Sequence, residues 1–249
     1  NKGIPYTGSE TAASKLAMNK VESKDAFRRN NIPTPDYFTA STEQNISEIA
    51  NRVKSLKLPV ITKPVSNGSS IGIYIIKEYI EITDAIKYTG RYSEEILVEE
   101  CIEGRELAIS VLNDKALPVI EIKTATGIYD YDAKYKSDKT QYTVLASADK
   151  SSETTLSHDV YERVQDVAVR AHNSLGCRTF SRVDVILNKD DEIYVLEVNT
   201  IPGFTERSLL PKAAAAANIS FSELCNTIVN AACEHTFVPG QAARADIND

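Results

Sequence analysis

The sequence predicts an α+β fold, helices packed on mainly antiparallel strands, and three observations carry that prediction. Apolar strand-like runs at 106–113 and 117–124 are joined by the turn pair Asn113-Asp114. A second such pair, 178–187 and 192–198, is joined by the polar turn Asn188 to Asp191. Helical periods fall between and after these pairs without regular alternation or internal repeat, which favours layered α+β structure over a continuous parallel βαβ array.

The elements follow in order. Residues 9–30 read as one helix, capped by Ser9 or Thr11, with Ala13, Leu16, Ala17 and Val21 on one side. Asn30-Asn31, Pro33 and Pro35 end it. Ser41 with Gln44 fits a capping box for a second helix whose Ile46, Ile49, Ala50, Val53 and Leu56 keep helical spacing. Pro59–Lys63 is a short strand. A Gly/Ser loop leads from it to a strand over 71–77 and a helix near 79–88. Another strand is predicted at 96–101. Residues 125–151 show no period but hold Tyr129, Tyr131, Tyr135 and Tyr142, the mark of a functional flap or a disordered loop. A helix at about 158–174 stops before Gly176, a C′ glycine. Helices near 209–217 and 221–234 close the fold, and the polar tail from Pro239 is expected to fray.

Composition bounds the function. The chain has 249 residues, 28 basic against 35 acidic, for a net charge of −7. That balance argues against nucleic-acid and anionic-membrane binding, both of which need a dense positive field. No apolar run reaches the roughly 18–20 residues of a membrane helix. The start, Asn1 to Tyr6, has no signal-peptide core and opens in mid-phrase, so a beginning is expected to be missing. Four cysteines and three histidines offer no zinc-type spacing. The thiols are expected reduced, mostly in the core, in a cytoplasmic protein. Any bound metal must then be held by oxygen.

Such oxygens stand on the strands at 178–198. Arg182 and Asp184 share a face at i, i+2, as do Glu197 and Asn199, all within apolar runs. Charges in such surroundings need partners. An internal salt bridge of Arg182 with one carboxylate accounts for two of the four. A Mg²⁺ site built from Asp184, Glu197 and Asn199 accounts for the rest, since these are hard oxygen donors. Mg²⁺ with few protein ligands also binds phosphates, and Gly68-Ser69-Ser70-Ile71-Gly72 could cradle phosphates with its amides, although a hairpin turn explains the loop equally. It is no Walker A loop. Lys20, Lys63, Lys134 and Arg182 form a candidate positive set.

The segments "GIPYTGS", "LAMNK" (16–20), "VITKPVSNGSSIGI" (60–73), "EECIEGRE" (99–106), "YDYDAKY" (129–135), "SRVDVILN" (181–188) and "LEVNTIPGFTERSLLP" (196–211) resemble, in order, the D-alanine–D-alanine ligases, ATP-grasp enzymes of peptidoglycan synthesis. The resemblance runs from residue 3 to about 235. It implies two α+β subdomains whose mainly antiparallel sheets clasp the nucleotide. The first would span 1–102, including the end of an N-terminal linker. The second would span 103–238 with its flap at 125–151, and 239–249 would be a tail. The family's own N-terminal α/β domain is not in this sequence.

The resemblance also implies roles. Lys20 and Lys63 match lysines on ATP phosphates, with Ser70 in the adjoining loop. Glu99 and Ile102 match positions that read the adenine, and Glu106 the one on the ribose. Lys134 matches the flap lysine on the γ-phosphate. Asp184, Glu197 and Asn199 match ligands of two Mg²⁺ ions, with Mn²⁺ as a substitute and K⁺ as an optional further cation. Arg182 and the Gly203 N–H match oxyanion donors, Ser208 and Leu209 the site of the second D-alanine carboxylate, and Ser69 with Tyr135 a hydrogen-bonded pair at the amino-acid site. The implied reaction joins two D-alanines through a D-alanyl phosphate in a cytoplasmic homodimer that binds neither nucleic acid nor membrane. A D-Ala–D-Ser ligase and a nucleotide-binding fragment without turnover are the alternatives. Departures from the pattern are Asn67 for glutamate, Val144 for proline, Phe204 for methionine, and Ile128 where an aromatic often stands.

Overall fold

A computed structural model describes residues 4–68, 70–124 and 140–234. The chain opens with two helices, α1 (Thr11–Met18) and α2 (Lys20–Arg29), where the sequence predicts one. Asn19 takes an extended backbone between them. Its side chain accepts the Val21 and Glu22 N–H groups, so it caps α2 rather than continuing α1. The exit is as predicted: Asn30 closes α2 and Asn31 turns with φ 53°.

A first sheet follows. It comprises β1 (Tyr37–Ser41), β2 (Val60–Pro64), β3 (Tyr74–Ile76) and β4 (Glu95–Glu100), in the antiparallel order β1-β4-β2-β3. The sequence reading missed β1 and drew β3 too long. Helices α3 (Ile46–Val53) and α4 (Ile82–Thr89) cover one face, meeting Phe38, Val60, Ile96 and Val98. The α3 cap is Asn45, which accepts the Ser47 N–H at 2.8 Å. Ser41 and Gln44, the predicted cap, instead close the turn before it. On the opposite face, Ile61, Lys63, Leu97 and Glu99 line a cleft.

The second sheet has β5 (Arg105–Leu112), β6 (Lys115–Ala116), β7 (Ile120–Lys123), β8 (Gln141–Val144), β11 (Phe180–Leu187) and β12 (Ile193–Asn199). Its order is β12-β11-β5-β7-β8, with β6 beside β5, and every pairing is antiparallel. The Asn113-Asp114 turn carries positive φ at both residues, as a tight hairpin requires. Strands β9 (Ala146–Ala148) and β10 (Thr155–Ser157) form a separate parallel pair. Part of 125–151 is therefore strand. The remainder, 125–139, lies outside the described residues together with the tail from 235.

Alternation along β5 and β11 sorts the core into two layers. Leu107, Ile109, Val111, Val183 and Val185 face α5 (His158–Ser174). Ala108, Leu112, Phe180 and Ile120 face α6 (Leu209–Ala216) and α7 (Phe221–Glu234). The thiols are less buried than expected. Cys177 is in the core, Cys101 and Cys225 are half-buried, and Cys233 is exposed. The buried stripe of α7 runs through Leu224, Ile228 and Ala232, which leaves Cys225 and Cys233 one position off it. Among the described residues, no helix is long and apolar enough to cross a membrane.

Candidate active site

The two sheets face each other across the cleft, and β11–β12 supplies its floor. Arg182 pairs in register with Asn199, and Asp184 with Glu197. Between Asp184 and Val185 the register slips, leaving Leu196 without a partner. This β-bulge has a consequence. Val195 points into the core and is fully buried, yet Glu197, two residues on, turns to the face of Arg182 and Asp184. Four polar side chains thus meet on one patch of two otherwise apolar strands. Arg182 grips Asp184 with two hydrogen bonds, 2.7 and 2.8 Å, so the internal salt bridge weighed from the sequence is present. Asn199 Oδ1 accepts the Ile201 N–H at 3.0 Å.

On one side of this patch lies a cleft with apolar walls (Ile61, Leu97, Ile102, Ile186). Every described residue expected to bind cofactor lines it: Lys20, Lys63, Ser70, Glu99, Ile102 and Glu106. Asp184 and Glu197 close its inner end. The break at Asn19 puts Lys20 at the head of α2. There its Nζ donates to the Asn67 carbonyl at 2.5 Å and lies 4.0 Å from Glu197 Oε2. Ser70 sits in the loop with φ 56°, and Gly72 follows with φ 80°. A Cβ at Gly72 would lie 2.7 Å from both Pro64 and Tyr92, so only glycine lets the loop fold against β2.

Glu99 is 1% exposed and sits between two lysines. Lys63 pairs closely with its Oε1, and Lys24 Nζ is 2.7 Å from Oε2. Burial alone would raise this carboxyl, but the two cations more than offset it and hold it at about 2. Burial drives Lys24 down to about 8. Oε2 remains buried with no hydrogen bond of proper geometry. Lys24, which helical periodicity alone does not mark as functional, also lines the cleft.

On the other side of the patch a second, more polar depression is lined by Arg182, Asn199, Gly203, Ser208 and Leu209. Arg207, absent from the sequence-based set, joins them. Ser208 is the N-cap of α6; its Oγ accepts the Thr205 N–H at 3.1 Å. The Leu209 side chain is buried, so the backbone at the head of α6, where N–H groups lack helical partners, is what it can offer. A Cβ at Gly203 would come within 2.9 Å of Ser208 Oγ. Lys20, Asn67, Gly68 and Glu197 line both depressions and so mark where they join. Ser69, Lys134 and Tyr135 lie outside the described residues.

Two α+β units whose antiparallel sheets clasp a lysine-lined cleft, with carboxylates at its inner end, define an ATP-grasp fold. The model of the D-ala D-ala ligase C-terminus matches residues 26–230. The D-alanine–D-alanine ligase of Marinobacter nauticus is 44% identical over 222 residues, covering 89% of this chain and 65% of that protein. Among solved structures, the D-alanine–D-alanine ligase of Bacillus anthracis complexed with ATP superposes with a TM-score of 0.79 at 30% identity, covering 93% of this chain and 71% of its own. The VanG D-Ala:D-Ser ligase of Enterococcus faecalis gives 0.80 at 32%, covering 92% and 66%. The chain belongs to the D-alanine–D-alanine ligase family. It spans just under two thirds of the length of its Marinobacter relative.

Proposed function

We propose that the protein takes part in the ATP-dependent ligation of two D-alanine molecules to D-alanyl-D-alanine, by way of a D-alanyl phosphate, for peptidoglycan synthesis. The observation that carries this reading is the Arg182–Asp184–Glu197–Asn199 patch. It lies at the junction of the lysine-lined cleft and the second, more polar depression.

The adenine would lie between the apolar walls near Ile102, with the Glu99 carboxylate accepting from its amino group and Glu106 serving the ribose. Lys20 and Lys63 would hold phosphates, and Lys134 would complete the set from the flap. Asp184, Glu197 and Asn199 fit Mg²⁺ because their donors are all hard oxygens on one face of the paired strands β11 and β12, and the Asp184 oxygens have lone pairs beyond those Arg182 uses. Two such ions, or Mn²⁺, would neutralise phosphate charge; K⁺ would be a further, optional cation.

The chain's own work is positioning. The first D-alanine carboxylate, oriented by Arg182, attacks the γ-phosphorus in line and ADP leaves. The neutral amine of the second D-alanine, whose carboxylate rests at Ser208 and the head of α6, then attacks the acyl carbon. Arg182 and the Gly203 N–H stabilise the tetrahedral oxyanion until phosphate departs. Ser69 and Tyr135 would border this site, and closure of 125–151 would exclude water. Residues 1–102 and 103–238 would act as the two jaws. A cytoplasmic homodimer acting on small molecules, without nucleic acid or membrane, completes the reading. Ligation to D-serine is the second reading, since the VanG D-Ala:D-Ser ligase structure superposes as well as the D-alanine–D-alanine ligase does.

The test is incubation with ATP, Mg²⁺ and D-alanine, alone and with D-serine, with phosphate release and dipeptide measured. D-alanine-dependent phosphate with D-alanyl-D-alanine supports the first reading. A mixed D-Ala-D-Ser product in excess supports the second, and ATP binding without either product rejects both.

A further inference from the structure

The reaction leaves Lys24 unassigned, although it is among the largest fully buried side chains in the protein. Its Nζ lies 2.7 Å from Glu99 Oε2 and donates to Thr34 Oγ1 at 2.6 Å. Thr34 Oγ1 donates in turn to the Val195 carbonyl at 2.8 Å, and the Val195 N–H returns to the Pro33 carbonyl at 2.8 Å. One ammonium therefore joins Glu99 on the first sheet to β12 on the second. The other cation on Glu99, Lys63, is 14% exposed on the cleft face and also feels Glu197, so it is placed to turn toward phosphates. Lys24, 1% exposed, stays with Glu99.

We propose that Lys24 is a positioning residue for base selection. By gripping the buried Oε2 it fixes Glu99 as a charged, acceptor-only group on the cleft wall, so that Oε1, released when Lys63 turns to the phosphates, takes a purine with a 6-amino donor and rejects a 6-oxo purine. The proposal rests on the nucleotide reading of the cleft given above. A carboxylate only accepts. Facing a 6-oxo purine it would meet another acceptor and leave two buried lone-pair groups unpaired, which is an effective form of rejection. A hydrogen bond to a charged group of this kind is worth about 10- to 100-fold in affinity.

The experiment is titration calorimetry of the chain with Mg²⁺ and ATP, inosine triphosphate or purine riboside triphosphate (no 6-substituent), on the wild type, Lys24→Met, Lys24→Arg and Thr34→Val. The wild type is expected to favour ATP over both analogues. Lys24→Met should lose about 10- to 100-fold in ATP affinity and little for the analogues, so that the ratio falls toward one. Lys24→Arg should restore most of the preference. Thr34→Val removes the oxygen that seats Lys24 while keeping the cation, and should lower the ratio in part; it carries the test if Lys24→Met does not fold. Equal weakening of all three nucleotides, or an unchanged ratio, would mark Lys24 as merely structural and overturn the proposal. A wild type that binds no ATP would instead overturn the nucleotide reading itself.

Discussion

Asp184 stands directly opposite Glu197 across β11 and β12, and it does so because the chain spends one extra residue, Leu196, just before Glu197. The bulge brings both carboxylates to the same wall of the cleft. Glu197 is one-third exposed, so Glu197→Gln keeps the packing and removes one charge. Turnover should drop by about 10²-fold or more, with the melting temperature nearly unchanged, in parallel assays of phosphate release and thermal unfolding. A Gln variant with wild-type turnover would remove Glu197 from the metal site.

Gly203 and Ser208 lie close enough that a Cβ at Gly203 would crowd the Ser208 hydroxyl. Gly203→Ala forces Ser208 Oγ to rotate away from its place in the depression. The expected effect is a loss of about 10-fold in kcat/KM for D-alanine, the usual effect of losing one hydrogen bond. The KM for ATP should hardly change, because the cleft beyond Glu197 is untouched. Steady-state kinetics with ATP and D-alanine varied in turn separates the two.

Arg105 clasps Glu121 with bonds of 2.8 and 3.1 Å and also reaches the carbonyls of Ser152, Glu153 and Thr155. Glu121 is only 3% exposed, and Lys123 at 3.8 Å is a poor substitute. Arg105→Met should destabilise the fold by roughly 3 kcal/mol, since it strands a buried carboxylate. Adding Glu121→Leu should recover most of that loss. Urea unfolding of the single and double variants measures the coupling.

The Glu99 carboxyl supplies an acid-side signature. It titrates at about 2 in the fold against 4.5 when free: burial opposes its charge, and Lys24 and Lys63 outweigh burial. Because the folded value is the lower one, its contribution is complete above about pH 4.5 and is lost as pH falls toward 2. The amount is on the order of 3 kcal/mol. Urea unfolding between pH 6 and pH 2 should show a slope that is absent in Glu99→Gln. That variant should also be less stable at neutral pH, because it leaves Lys24 and Lys63 buried without a carboxylate.

The long α5 and both hairpin turns were legible because each has a strong local signal: an unbroken apolar stripe in α5, and turn residues able to take positive φ in the hairpins. The single helix expected at 9–30 was not two helices on periodicity alone, since Asn19 breaks it by capping, a choice that also places Lys20. The site residues on β11 could be assigned by alternation. On β12 alternation also puts Glu197 and Asn199 on one face, but it puts Val195 there too, and only the bulge turns Val195 to the core and Glu197 to the cleft. Lys24 was missed for another reason. On α2 it reads as one more solvated charge, and its burial depends on Thr34, Glu99 and Val195, which are distant in sequence.

In the proposed reaction this junction activates a carboxylate by phosphorylation. Supplying D-alanine labelled with ¹⁸O in its carboxylate, with ATP and Mg²⁺, tests it in one mass spectrum. Since the oxygen that attacks phosphorus leaves with it, each phosphate released should carry one ¹⁸O, in step with the dipeptide formed. Phosphate free of label, released alongside ADP and dipeptide, would contradict it.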